Sequence, residues 1–142
     1  MKPRMLIAAL IAAQALFGGA AALAQRAADL IAEQLRAARY PFRMVLSGGS
    51  TPRATYQLLG RRDIDWGCAE LFFSDERFVP PDHPDTNYRM VRECLLADGR
   101  VHPRKLLAIP TDGQPQSAAD RYDEMLRQQY GASLLEPGVP LF

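Results

Sequence analysis

From Leu23 to Ala38 the residues Leu23, Ala27, Leu30, Ile31, Leu35 and Ala38 recur at helical spacing, with Arg26, Asp29, Glu33 and Arg36 off that stripe. The pattern predicts a helix over residues 20–39, ended by Tyr40-Pro41. Then the period changes. Phe42, Met44, Val45 and Leu46 form a short apolar run, as in a strand buried in a parallel sheet. A second run spans Ala69 to Phe73, and a third, Lys105 to Ile109, is closed by Pro110. Helical spacing returns between and after them. Thr55, Tyr56 and Leu59 mark a helix from Pro52 to Leu59 with Gly60 as its C-cap. Met90, Val91, Cys94 and Leu95 mark another from Asn87 to Ala97, capped by Asp85 or Thr86. Ala118, Tyr122, Met125, Leu126 and Gln129 mark a last one from Ser117, its expected cap, to Tyr130. Asp98-Gly99 and Asp112-Gly113 are turn signals. Ile64 and Trp66, in the loop before the second strand, are expected to pack into the core.

Strands alternating with helices of crossover length predict an α/β fold: three layers, α/β/α, around a mainly parallel, Rossmann-like sheet. In such sheets ligands bind beyond the carboxyl ends of the strands. Two loops leave those ends and should lie side by side. The first is Ser47-Gly48-Gly49-Ser50-Thr51, followed by Pro52, which suits the first turn of a helix. Thr51 is the expected N-cap. Free backbone N–H groups and the positive end of a helix dipole suit a phosphate here. The two glycines permit backbone angles and close approach that a side chain would block. A tight turn with no ligand is the competing reading. The loop has neither the Walker A nor the GxGxxG spacing, so a nucleotide is not the first expectation.

The second loop opens with Asp75-Glu76-Arg77. Arg77 can grip a phosphate bidentately. A carboxylate beside it can orient a hydroxyl, a water or another side chain. In extended geometry Asp75 and Arg77 share one side and Glu76 the other. A solvated charge cluster or an internal salt bridge would use the same residues. Pro80, Pro81 and Pro84 forbid regular structure over the following stretch.

With 142 residues the chain is long enough for one domain, and its net charge of +1 calls for neither nucleic acid nor an acidic membrane as partner. Cys68 and Cys94 form no metal-ligand pattern and are expected to be reduced thiols. His83, in the proline-rich loop, and His102, before Pro103, are read as surface residues. Near the start, Lys2 and Arg4 precede a nearly uncharged run from Met5, and Ala22-Leu23-Ala24 resembles a cleavage site. This suggests a signal-like or irregular segment over 1–24 and a domain over 25–142, with export as the alternative to a cytoplasmic location. The amphipathic helix described above competes for the same residues.

Three stretches carry a resemblance: Leu-Ser-Gly-Gly-Ser-Thr-Pro at 46–52, Phe-Phe-Ser-Asp-Glu-Arg-Phe-Val-Pro-Pro-Asp-His-Pro-Asp-Thr-Asn-Tyr at 72–88, and Ile-Pro-Thr at 109–111. Together, in this order, they resemble the 6-phosphogluconolactonase branch of the glucosamine-6-phosphate isomerase/6-phosphogluconolactonase superfamily. The deaminase branch usually has tyrosine where this chain has Arg77. Ser74 replaces a common glycine and Thr86 a common serine. The resemblance implies hydrolysis of 6-phospho-D-glucono-1,5-lactone to 6-phosphogluconate, in the oxidative pentose phosphate pathway, with no metal or organic cofactor. It implies that Gly48, Gly49, Ser50 and Thr51 line the sugar-phosphate site, that Arg77 binds the phosphate, and that Asp75 (in support of catalysis) and Asn87 orient groups around the pocket. The family's later Gly-x-Gly-x-Asp-Gly-His segment, whose histidine is thought to be the base, is not in this sequence, which ends at Pro140-Leu141-Phe142. A strand expected before the first helix is replaced by the signal-like run. The chain therefore reads as the front part of the fold, truncated at the C-terminal end, with weak or no activity by itself. An isomerase/deaminase-like enzyme and a non-catalytic sugar-phosphate-binding remnant are the alternatives.

Overall fold

The computed structural model describes residues 19–39 and 41–131. It orders helix α1 (Ala20–Ala37), strand β1 (Phe42–Leu46), helix α2 (Ser50–Gly60), strand β2 (Ala69–Phe73), helix α3 (Asn87–Cys94), strand β3 (Lys105–Leu107) and helix α4 (Pro115–Tyr130). The strands form one parallel sheet in the order β1-β2-β3. Parallel pairing requires a crossover between successive strands, and α2 and α3 provide it.

Alternation along the strands divides the sheet into two faces. Leu46, Leu71 and Phe73 join Ile31, Leu35, Tyr56, Leu59, Trp66, Met90 and Val91 in the core, so α1, α2 and α3 cover one face. Leu23, Ala24, Ala27, Ala28, Ile31, Ala32 and Leu35 form the buried stripe of α1. The boundary expected between residues 24 and 25 falls within this helix, and Leu23 and Ala24 are both buried. The rest of the signal-like run, the Tyr40 break and the end of the chain lie outside the described residues. Arg62 ties α1 to the end of α2 through the Ala28 carbonyl and the Asp29 carboxylate, which it holds below the usual carboxylate range.

On the other face Arg43, Glu70 and Lys105 stand directly across from one another on the three strands. Buried Glu70 accepts from Arg43 Nε at 3.2 Å and faces Lys105 Nζ at 3.5 Å. Helix α4 covers this cluster: Arg43 lies 4.6 Å from the Tyr130 ring centre, Phe72 packs against the same ring, and Lys105 donates to Gln129. Helices thus lie on both faces, as the alternation of elements predicts.

Several ends differ from the sequence expectation. The first helix stops two residues short of residue 39. Helix α3 stops at Cys94 instead of Ala97, and the chain turns through Gly99, whose φ of 62° suits glycine. Pro115 starts α4 two residues before the expected cap Ser117, because a proline's missing N–H is no loss at the first position. Gly60 is the last residue of α2 rather than a left-handed cap. A Cβ there would lie 2.9 Å from the Leu95 carbonyl oxygen, so this glycine serves the approach of α2 to α3.

Strand β3 ends at Leu107, not Ile109. The last β2–β3 pair is Phe72 with Leu107. At the next residue the Tyr122 hydroxyl takes the place of a strand: it accepts from the Phe73 N–H and donates to the Phe73 carbonyl, both at 2.9 Å. Burial pushes this hydroxyl up to about 12, with the Phe73 N–H acting in the opposite sense.

Tyr122→Phe should cost about 1–3 kcal/mol, since it strands two backbone groups. The folded state favours the neutral phenol, so this contribution is complete below the ordinary tyrosine value of about 10 and is lost as pH rises through about 12. Urea midpoints across that alkaline range should fall more steeply for the parent chain than for Tyr122→Phe.

Candidate functional site

The loops after β1 and β2 meet at the carboxyl edge of the sheet. Their bases are fixed first. The Ser74 N–H donates to the Leu46 carbonyl at 2.9 Å, and the Ser74 hydroxyl oxygen lies 3.2 Å from the same carbonyl. The Tyr56 hydroxyl, reaching from α2, accepts from the Ser47 N–H at 3.0 Å and donates to the Ser47 carbonyl at 3.3 Å. Burial raises the Tyr56 pKa, the Ser47 hydrogen bonds oppose that, and the charge of Asp75 adds to it.

The two glycines have separate reasons. Gly49 has φ 111° and is the N-cap of α2, with no side-chain cap hydrogen bond. Thr51 is therefore not the cap; it lies inside the first turn, where its carbonyl accepts from the Thr55 hydroxyl. The first bond of the helix runs from the Arg53 N–H to the Gly49 carbonyl. Among the described residues the N–H groups of Ser50 and Thr51 have no acceptor. Gly48 is glycine because of a neighbour: a Cβ there would lie 2.1 Å from Asn87 Oδ1.

Asn87 is 5% exposed. Its Nδ2 donates to the Asp75 carbonyl at 3.0 Å and faces an Asp75 carboxylate oxygen at 3.4 Å. The Ser74 hydroxyl donates to the other oxygen of that carboxylate at 2.8 Å. Gly48, Asp75 and Asn87 are thus brought together from three different loops and helices.

Glu76 leaves this group. Its carboxylate accepts from the N–H groups of Asn87 and Tyr88, at 2.6 and 2.8 Å, and so caps α3. Thr86 caps the same helix by accepting from Arg89, as expected. Arg77 is exposed and, among the described residues, its guanidinium has no carboxylate within ion-pair distance. Among the described residues Arg77 therefore enters no internal salt bridge. His83 is committed to the loop: its Nδ1 accepts from the Asp85 N–H, and its carbonyl accepts from Thr86. Among the described residues no group of three or more His, Cys, Asp or Glu is placed to hold a metal, and no helix is long and apolar enough to cross a membrane.

Residues 18–142 match the family described as glucosamine-6-phosphate isomerases/6-phosphogluconolactonase. The chain belongs to this family. It is 34% identical over 116 residues to the 6-phosphogluconolactonase of a Nostoc species, covering 79% of this chain and 48% of that one. The crystal structure of a 6-phosphogluconolactonase from Shewanella baltica superposes with a TM-score of 0.64 at 34% identity, covering 78% of this chain and 48% of the other. A monomeric glucosamine-6-phosphate deaminase superposes equally well, at 0.64 over 78% and 48%, but at 16% identity this shows the shared fold alone. The chain thus spans about half the length of these relatives.

The glycine positions in the family's first loop give a direct test. Gly48→Ala should destabilise by about 1–3 kcal/mol through overpacking, and Gly49→Ala by about 1–2 kcal/mol through a left-handed backbone. In urea denaturation the Gly48→Ala cost should shrink when Asn87 is also shortened to Ala, whereas the Gly49→Ala cost should not.

Proposed function

We propose that this chain supplies the phosphate-binding half of a site that hydrolyses 6-phospho-D-glucono-1,5-lactone. The observation that carries the reading is the contrast between two helix starts at one sheet edge. That of α3 is filled by Glu76 and Thr86. Among the described residues, that of α2 presents the Ser50 and Thr51 N–H groups without an acceptor, and Arg77 stands on the neighbouring loop without a carboxylate. A phosphate suits a helix start with free donors and an arginine at hand. The names of the relatives supply the substrate class.

In this reading Gly48, Gly49, Ser50 and Thr51 line the sugar-phosphate site and Arg77 binds the phosphate. Asn87 orients Asp75, and Asp75 directs a substrate hydroxyl or the attacking water. Water adds to the lactone carbonyl, the ring C–O bond breaks, and the ring oxygen leaves as a hydroxyl. Binding holds the carbonyl for that attack, which is the larger part of what these residues do. The base that takes the water's proton is, in the family resemblance, a histidine of a segment this sequence does not contain. A general base contributes about 10²–10⁴ in rate, so turnover by this chain alone should be weak. Arg77, where the deaminase branch has tyrosine, favours the lactone over an amino sugar.

Calorimetry with 6-phosphogluconate should give binding that Arg77→Ala weakens by about 10- to 100-fold, the loss of a charge-assisted pair. Lactone hydrolysis, corrected for the spontaneous rate, should be slight. Ammonia release from glucosamine 6-phosphate, or no binding of either sugar phosphate, would overturn the reading. Binding with no turnover at all would make the chain a non-catalytic sugar-phosphate binder.

A further inference from the structure

Glu76 follows the supporting carboxylate Asp75 and precedes the proposed phosphate ligand Arg77, yet it faces neither role. Its Oε1 accepts from the Arg77 N–H at 2.7 Å and from the Asn87 N–H at 2.6 Å, and its Oε2 accepts from the Tyr88 N–H at 2.8 Å. Asn87 and Tyr88 are the first residues of α3, where N–H groups have no partner within the helix. A negative charge is favoured there by the helix dipole. One carboxylate therefore closes residues 77–86 into a loop whose two ends are tied together. That loop holds Pro80, Pro81 and Pro84 and an exposed aromatic, Phe78, and makes little use of the core. Thr86 also caps α3, but through Arg89, a residue with no place in the candidate site.

We propose that Glu76 is a positioning residue of the anion site: its charge locks the Arg77 main chain to the start of α3 and so sets Arg77 against Asn87 before any ligand arrives. This rests on the assignment of Arg77 to the phosphate. Asn87 is itself locked, by Asp75 on one side and by the contact with Gly48 on the other. The chain from Glu76 through Asn87 to Gly48 thus joins both loops of the site into one rigid unit. With Glu76 neutral or shortened, the donors at the α3 start lose a charged acceptor within reach of both and are held more weakly against the incoming anion. The Arg77 loop is then ordered only on binding, which weakens affinity.

The test compares Glu76→Gln with Thr86→Ala, which removes the other cap of the same helix. Amide hydrogen exchange by NMR and calorimetry with 6-phosphogluconate are run well below the melting temperature of each variant. In Glu76→Gln, exchange at Arg77, Asn87 and Tyr88 should rise and binding should weaken by about tenfold or more, the scale of a lost charge-assisted cap. In Thr86→Ala, exchange should rise at Arg89 and binding should stay within about twofold of the parent. Equal losses of binding in the two variants, in step with their losses of thermal stability, would reduce Glu76 to a helix cap and overturn the proposal. If Glu76→Gln does not fold, Glu76→Asp keeps the charge on a shorter arm. It should bind more weakly than the parent with Arg89 exchange unchanged, and parent-like binding would overturn the proposal. A parent chain that binds no 6-phosphogluconate overturns the functional reading instead. Amide exchange then decides the clamp alone, and unchanged protection at Arg77 and Asn87 in Glu76→Gln overturns it.

Discussion

Where a parallel sheet stops, the last N–H and C=O groups of each strand lose their neighbours, and the carboxyl edge of this sheet is shaped by how they are satisfied. Two tyrosines do it. A phenol both donates and accepts, so one hydroxyl can serve an N–H and a C=O of the same residue. Tyr56 clasps Ser47 in this way from α2, and Tyr122 clasps Phe73 from α4. Ser74 bonds across to Leu46 between them. The ends of β1 and β2 are held from both layers of helix. The loops that follow start from fixed points, which is what a site built on loops requires.

From those points the two helix starts diverge in use. Each offers donors and a positive dipole end. At α3 the protein supplies its own anion, Glu76. At α2 a glycine occupies the capping position, and among the described residues no side chain takes the donors. Contact between Gly48 and Asn87 fixes the spacing of the filled start and the open one. Among the described residues this edge thus carries one set of helix-start donors without an acceptor, beside an arginine without a carboxylate. The other face of the sheet carries a charge cluster of a different kind. Glu70 is buried with Arg43 and Lys105 in strict register across three strands and under the Tyr130 ring. Breaking it would leave a buried charge unpaired, so it bears on the pairing of the strands and not on the ligand.

Much of this was legible in the residues. Periodicity marked every described helix and strand, because burial of one face repeats at 3.6 or at 2 residues whatever the partner is. The meeting of the two loops at one edge followed from parallel topology, and the use of glycine at 49 followed from its place in a strand-to-helix turn, whereas glycine at 48 answers to Asn87, far along the chain. The ends of elements were less legible. Thr51 and Ser117 were good caps by type, yet Gly49 caps α2 and Pro115 is the first residue of α4. Gly60 looked like a C-cap and is instead the point where α2 touches α3.

What the sequence determined by itself is whatever depends on a residue and its near neighbours: period, turn chemistry, and the residue types that can bind a phosphate. Tertiary structure decided which polar groups are already in use. Glu76 belongs to residues 87 and 88, Tyr122 to residue 73, and Glu70 to residues 43 and 105, with no local signal for any of them. Backbone donors and acceptors must each find a partner, and for a long side chain that partner is chosen by reach in space, across separations in the sequence that no periodicity records.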